Sequence, residues 1–297
     1  MTHRIYREKF ARSARFRELA ATGSLLAHKA DSALARPMVA VVGDYLGDCI
    51  RVEGLYERQI LEILRTMILD PKRIAKETAI DVGANIGNHS LFFSQLFKRV
   101  IAFEPNPLVR SLLEMNIELN GAKNIEVSSW ALSDSVGNAT LAFQTSNLGG
   151  ATLNRGRDAS EFMDGFAEVE LAKGDDTIDQ SQRIGLIKID VEGAEESVLK
   201  GLTDTIQSHM PVIMLEQLPD AIDAATGTSP AYLLLRDIGY EAYEIRLARR
   251  FRGRVGKLLS IVSGFQEYRF SAVARLESRE YPALIFTPVG YVFPSAG

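Results

Sequence analysis

The chain has a single cysteine, Cys49, and only four histidines, His3, His28, His89 and His209, scattered over 297 residues. One thiol cannot close an internal disulfide, and it suits a reducing compartment. The scatter argues against a four-ligand cysteine–histidine zinc site. Long apolar runs are missing as well. The longest are of the kind PMVAVV, far below the ~20 residues that span a bilayer. The opening MTHRIYREKFARSARF is rich in arginine but has no apolar core of a secretion signal, and Glu8 and Glu18 argue against an organellar presequence. A cytoplasmic chain is the expectation. There is no overall positive charge either: the net charge is −4. Basic residues are nonetheless gathered in two places. Residues 1–37 hold eight Lys/Arg against three Asp/Glu, and residues 246–257 hold six Lys/Arg and no acid. The remaining body is strongly acidic, a poor surface for nucleic acid.

What is present is ordinary globular composition, 46% hydrophobic and 24% charged, with alternating signals for strand and helix. Residues 1–37 read as a basic, weakly amphipathic helical arm. Residues 38–77 read as a lead-in of β-rich stretches broken by Gly43, Gly47 and Gly54, then a helix over 58–69 that stops before Pro71. From 78 to 297 the pattern is one domain. TAIDV (78–82), RVIAFE (99–104), NIEVSS (124–129), LIKID (186–190) and PVIMLE (211–216) are short apolar strands, with helices between most of them. Asn106, Pro107 and Gly121 supply a cap, a first helical position and a stop. Such alternation predicts an α/β fold, a mostly parallel sheet with helices on both faces. Ligands of such sheets sit at the carboxyl ends of the strands, where strand order reverses.

The stretch AIDVGANIGNHS (79–90) carries a strand into a Gly-bearing loop of the kind that receives a nucleotide. A dinucleotide fingerprint needs G-x-G-x-x-G, whose second glycine lets the backbone approach a pyrophosphate. Here Gly83 and Gly87 are present, but the second-glycine position is Asn85 and the third is Asn88. A side chain at 85 crowds a pyrophosphate yet can bond a ligand without phosphates. Asp81, just before the loop, repels phosphate and attracts the ammonium or sulfonium of S-adenosylmethionine. Glu104 ends the following strand, where an acid accepts hydrogen bonds from ribose hydroxyls, and Pro105 and Asn106 would border the adenine. The pattern favours S-adenosylmethionine over a nicotinamide dinucleotide.

Four blocks, DVGANIGNHS, AFEPNP, ALSD followed by Gly137, and IKIDVEGAE, occur in this order and at spacings that resemble the FkbM family of S-adenosylmethionine-dependent methyltransferases. The upstream IRVEGLYE is similar to that family's lead-in, so the resemblance covers about residues 48–217. It implies the class I methyltransferase fold, a Rossmann-like sheet of seven strands with the last antiparallel. It also implies O-methylation of a hydroxyl on a sugar, glycan or natural product. The arm 1–37 and the tail beyond 246 carry no block that matches.

Transfer to a hydroxyl needs a base or a metal to take the proton. Lys188, Asp190 and Glu192 share one face if the strand stays extended, with Asp190 at its carboxyl end. The carboxylates are candidate bases; they could equally be structural partners of Lys188 or hold the cofactor's amino group. Glu216, at the next strand end, could face Asp190, as in metal-dependent catechol-type enzymes, but two carboxylates are too few to define a metal site and none is assigned. His89, in the first helical turn, is placed lining the cofactor pocket. Trp130 would pack on the adenine with the Ala131 backbone at its edge, or be plain core. Residues 144–162 read as a long polar loop, part of an acceptor lid, with Asn147 and Asn154 as hydroxyl partners. The basic stretch 246–257, with Leu247, Phe251 and Val255 at helical spacing, could lie on an anionic membrane or be a solvated helix face. Two rivals remain: a nicotinamide-dependent oxidoreductase, and a non-catalytic module that binds the cofactor or a partner without turnover.

Overall fold

A computed structural model describes residues 4–9, 36–41, 45–144, 147–153, 165–248 and 265–294. Strands β1 (Arg4–Lys9), β2 (Thr78–Val82), β3 (Arg99–Phe103) and β4 (Ile125–Ser128) come first. A second group is β5 (Ala131–Leu132), β6 (Gly137–Gln144), β7 (Asn147–Leu153) and β8 (Gly165–Ala172). The chain then returns to the main sheet with β9 (Ile184–Ile189), β10 (Val212–Gln217), β11 (Tyr240–Ala248), β12 (Phe265–Ala272) and β13 (Tyr281–Pro288).

Nine of these strands form one sheet in the order β1-β12-β11-β13-β10-β9-β2-β3-β4. The five from β4 to β10 are mutually parallel. β13 runs antiparallel between β10 and β11. The seven strands from β4 to β11 are the expected sheet, last strand antiparallel included; β12 and β1 extend it to nine. In β2 and β9 every residue is buried, because helices cover both faces. Alternate residues feed two cores. Ala79, Val100 and Leu186 meet Phe92, Phe93 and Leu113 on one side; Ile80, Ile187 and Ile213 meet Val198, Leu235 and Phe286 on the other.

Local signals set the helix ends. Asn106 Oδ1 accepts from Leu108 N at 3.1 Å to open Pro107–Asn120, and left-handed Gly121 closes it. Ser229 and Gly239 do the same for Pro230–Ile238. The helix expected over 58–69 forms as Arg58–Ile63 and then one π turn, Leu64–Ile68.

Three expectations are corrected. The opening arm is not helical over Arg4–Lys9: that segment is a strand paired antiparallel with β12, which would otherwise expose an open sheet edge. Residues 10–35 lie outside the described residues. The β-rich reading of 38–57 gives way to a helix, Tyr45–Glu53, because Leu46 and Ile50 fall on one helical face and pack against Ile86 and Val109. The lid loop over 144–162 is partly a strand. β7 pairs with β6 in a separate sheet ordered β5-β8-β6-β7, and 154–164, with Asn154, lies outside the described residues. So does 249–264, hence most of the basic stretch; Arg246, within β11, is ion-paired to Glu244 and Glu277.

Candidate active site

Strand order reverses beside β2: the chain moves outward through β3 and β4, then returns to β9 on the other side. The cleft at these strand tips is open to solvent and holds about 660 Å³ of space, its open mouth included. Its walls are Val82, Gly83 and Asn85 after β2, then Phe103, Glu104 and Pro105 after β3. Trp130 of the β4–β5 connection follows with Ala131 and Leu132 of β5, and then Asp190, Val191, Glu192 and Ala194 after β9. Leu141 of β6 completes them, so the small second sheet closes one side.

The loop can take this path because of Gly83. Its φ is +75°, and a Cβ there would lie 1.9 Å from the Asp190 carbonyl oxygen. The β2 loop and the β9 tip are therefore in backbone contact. Lys188, 3% exposed, donates from Nζ to the Gly83 carbonyl at 2.7 Å. The same ammonium lies 3.3 Å from Asp81 and 3.4 Å from Asp190. Burial works against its charge, yet Asp190 and Asp81 hold the ammonium above the usual lysine range. Asp81 also accepts from Ser90 Oγ at 2.6 Å. It is fully buried beneath the loop, outside the cleft wall.

Glu104 is held by the loop backbone. Its Oε2 accepts from Asn85 N and its Oε1 from Asn106 N, each at 2.9 Å. Burial pushes its carboxyl up to about 7, against those two donors. Asn85 has a left-handed φ of +51°, and its side chain accepts from Ile86 N at 2.7 Å. The side chain thus braces the loop that sequence reasoning had it bonding a ligand from. Gly87, φ +93°, caps the next helix against Leu113 and is not part of the wall; nor is Asn106, which serves Glu104 and the following helix.

Asp190, Glu192 and Glu216 come together, each offering an oxygen within 4.8 Å of the others. Burial raises Asp190, but the Lys188 ammonium and a hydrogen bond with Glu216 outweigh it and hold the carboxyl below its usual range. Burial and the neighbouring Asp190 charge push Glu216 up to about 10. The pair divides: Asp190 stays charged and Glu216 keeps a proton. Burial, then Asp190, push Glu192 up to about 7. Its backbone is left-handed at φ +51°, turning the chain sharply after β9 together with Gly193 at +99°. Three oxygens so close could also take a hard divalent cation.

His89 is not in the cleft wall. It is 5% exposed, with Nε2 3.1 Å from Glu57 Oε2 and its ring edge-on to Tyr56. Asn88 clamps the Tyr56 backbone, accepting from its N–H and donating to its carbonyl. The fields of Glu57 and Asp190 both reach the Tyr56 hydroxyl, which burial first of all pushes up. Tyr56 and Glu57 were not singled out from sequence; the block GLYE, inside the lead-in, was the available signal.

A family model described as the methyltransferase FkbM domain matches residues 81–242, more than half of the chain. The chain belongs to the FkbM methyltransferase family. Among its relatives, methyltransferase sdnD of Sordaria araneosa is 32% identical over a match spanning 42% of this chain and 60% of that protein. The hexuronic acid methyltransferase AglP of Haloferax volcanii is 28% identical over 61% of this chain and 75% of its own. A solved FkbM methyltransferase from Methylobacillus flagellatus KT is 16% identical, with a TM-score of 0.39, over 87% of this chain and 58% of that one. No described helix of this FkbM member is long and apolar enough to cross a membrane.

Proposed function

We propose that this FkbM chain is an S-adenosylmethionine-dependent O-methyltransferase acting on a hydroxyl of a sugar, glycan or natural product. One observation carries the reading: among the described residues, the cleft wall holds three acids, Glu104, Asp190 and Glu192, and no lysine, arginine or histidine. A pyrophosphate would meet those carboxylates at close range, whereas a ligand with a ribose, an ammonium and a sulfonium is complementary to them. Membership of a methyltransferase family supports the same cofactor, and the hexuronic acid methyltransferase among the relatives supports a sugar acceptor.

Bound S-adenosylmethionine supplies an electrophilic methyl group. The Gly83 turn, tied by Lys188 to the β9 tip, presents the loop backbone to the cofactor. Glu104 takes the ribose hydroxyls, and Trp130, Phe103 and Leu132 flank the adenine. Glu192 takes the proton of the acceptor hydroxyl, since a carboxyl near 7 is suited to a base at neutral pH. Asp190, charged beside Lys188, orients the acceptor. Protonated Glu216 donates to Asp190.

A second reading is favoured by the spacing of Asp190, Glu192 and Glu216: the three hold a divalent cation that lowers the acceptor's pKa instead. The test is calorimetric titration of the purified chain with S-adenosylhomocysteine and, separately, with NADH, followed by a methyl-transfer assay with and without EDTA. Micromolar binding of the first ligand alone is expected. Binding of NADH alone overturns the proposal in favour of an oxidoreductase, and binding of neither favours a non-catalytic module. Turnover that survives EDTA removes the cation.

A further inference from the structure

We propose that Asp81 serves the cofactor without touching it: it aims the buried Lys188 ammonium at the Gly83 carbonyl, and so fixes the loop that bears the cofactor. Asp81 and Lys188 are positioning residues in this account. The inference rests on the methyl-transfer reading above.

Sheet register sets up the pair. Asp81 of β2 and Lys188 of β9 are direct partners in adjacent parallel strands, so their side chains project on the same face. Gly83 and Asp190 each follow two residues later, just past the ends of β2 and β9. At these tips Asp190 N donates to the Val82 carbonyl at 3.1 Å. The next carbonyl, that of Gly83, has a side chain for its donor, Lys188 Nζ at 2.7 Å. The ammonium thus carries the ladder one residue past the strand, with a charge-assisted bond.

The loop is held from its other side by backbone donors. Gly83 N and Ala84 N both donate to the Phe103 carbonyl at 3.0 Å, and Asn85 N donates to the Glu104 carboxylate at 2.9 Å. Three successive N–H groups are committed to the β3 tip, and the Gly83 carbonyl is committed to β9. The loop is slung between the strand whose acid would hold the ribose and the strand whose tip would face the acceptor. Loosening Lys188 releases the β9 side.

Asp81 is 0% exposed beneath the loop, so a ligand in the cleft does not meet it. Its Oδ1 lies 3.3 Å from Lys188 Nζ, and its Oδ2 accepts from Ser90 Oγ at 2.6 Å. Ser90 is also 0% exposed and belongs to the following helix, Asn88–Ser94. Strand, loop and helix are joined through this one carboxylate. A lysine ammonium is a compact charge on a flexible stem, with no fixed direction of its own. Asp81, itself fixed by Ser90, supplies the direction.

The experiment is calorimetric titration of the full chain with two probes, S-adenosylhomocysteine and methylthioadenosine, which lacks the amino-acid end. Emission of Trp130, the chain's single tryptophan, follows the same titrations from the cleft wall. Asp81→Asn keeps the shape and removes the charge. It weakens both probes by about tenfold and leaves their ratio unchanged, because both rest on the same loop. In a Lys188→Met background the same substitution adds nothing, as expected of a residue that acts through the lysine. A direct contact with the ligand's ammonium gives the opposite pattern: S-adenosylhomocysteine alone is weakened, and the loss persists without the lysine. A merely structural role lowers the denaturation midpoint and leaves the affinity of the folded protein as it was. Either of these results overturns the inference and leaves the methyltransferase reading intact. Should Lys188→Met fail to fold, Ser90→Ala takes its place. It loosens only the Asp81 carboxylate, and both probes weaken in step by about fivefold. Affinities unchanged in Asp81→Asn and Ser90→Ala also overturn the inference. A folded wild type that binds neither probe overturns the methyl-transfer reading and the inference with it.

Discussion

If Glu104 holds the ribose as proposed, it has two tasks that pull in opposite directions with pH. Burial raises its carboxyl to about 7, so the empty site favours the neutral acid, whereas ribose hydroxyls are donors and favour the carboxylate. Cofactor affinity is therefore full above pH 7 and falls by about tenfold per unit below it. Glu104→Gln removes that slope and weakens S-adenosylhomocysteine binding by about 10- to 100-fold, the range for a hydrogen bond to a charged group. Titrations from pH 5.5 to 8.5 (roughly 1.5 units either side of the Glu104 range) check both. A flat wild-type profile would take Glu104 off the ribose. At this scale much of the wall was legible in the sequence: Gly83, Asn85, Glu104, Pro105, Trp130, Ala131, Asp190 and Glu192 all line the cleft. What was not legible came from afar. Leu141 arrives by way of the second sheet, and the Glu57 partner of His89 lies 32 residues upstream. No local spacing announces either.

Among the elements, the β2–loop–helix unit depends on backbone approach, and two glycines separate its causes. Gly83 and Gly121 are both left-handed, at φ +75° and +59°. A Cβ at Gly121 meets nothing within 4 Å, so Gly121→Ala pays only the left-handed penalty, about 1–2 kcal/mol. A Cβ at Gly83 would overlap the Asp190 carbonyl, so Gly83→Ala must also part the loop from β9 and displace the carbonyl that Lys188 holds. Chemical denaturation should find Gly83→Ala the less stable of the two, with cofactor binding lost in that variant alone. Equal stability with binding retained would mean that the loop and β9 are not tied. The same contrast explains which elements could be read locally. Strands buried on both faces, and helices opened by Asn106-Pro107 or Ser229-Pro230, carry their instructions within a few residues. The helix Tyr45–Glu53 does not: its glycine and β-rich surroundings argue for strand, and packing of Leu46 and Ile50 on Ile86 and Val109 decides otherwise. β1 likewise depends on a distant partner, β12, whereas β7 pairs with β6 just before it in the chain.

For the molecule as a whole, gathering acids at one end of the sheet makes stability depend on pH in a definite direction. Glu104 and Glu192, near 7, and Glu216, near 10, all sit above the ordinary glutamate value of 4.5. A carboxyl raised on folding contributes stability that is fully present below its unfolded value and lost as pH rises through the folded one. The unliganded chain should therefore lose stability steadily from pH 5 to about 10. Asp190 runs the other way, being lowered, so its contribution is present above 3.8 and lost only as acid neutralises it. Lys188, raised, keeps its share until pH passes above the ordinary lysine value of 10.5. Neither offsets the decline between. Glu216→Gln keeps the shape and the hydrogen-bond capacity of the protonated side chain and removes the titration, so its denaturation midpoint should fall less between pH 6 and 9 (about three units inside the Glu216 window) than that of the wild type. A cationic cofactor favours the charged acids and should flatten the same slope when bound, linking the alkaline weakness of the empty fold to the occupancy of its cleft. If the wild type were most stable at pH 9 and the variant followed it, the acids would be too well hydrated to hold protons. The shared-charge account of the β9 and β10 tips would then fail as a whole.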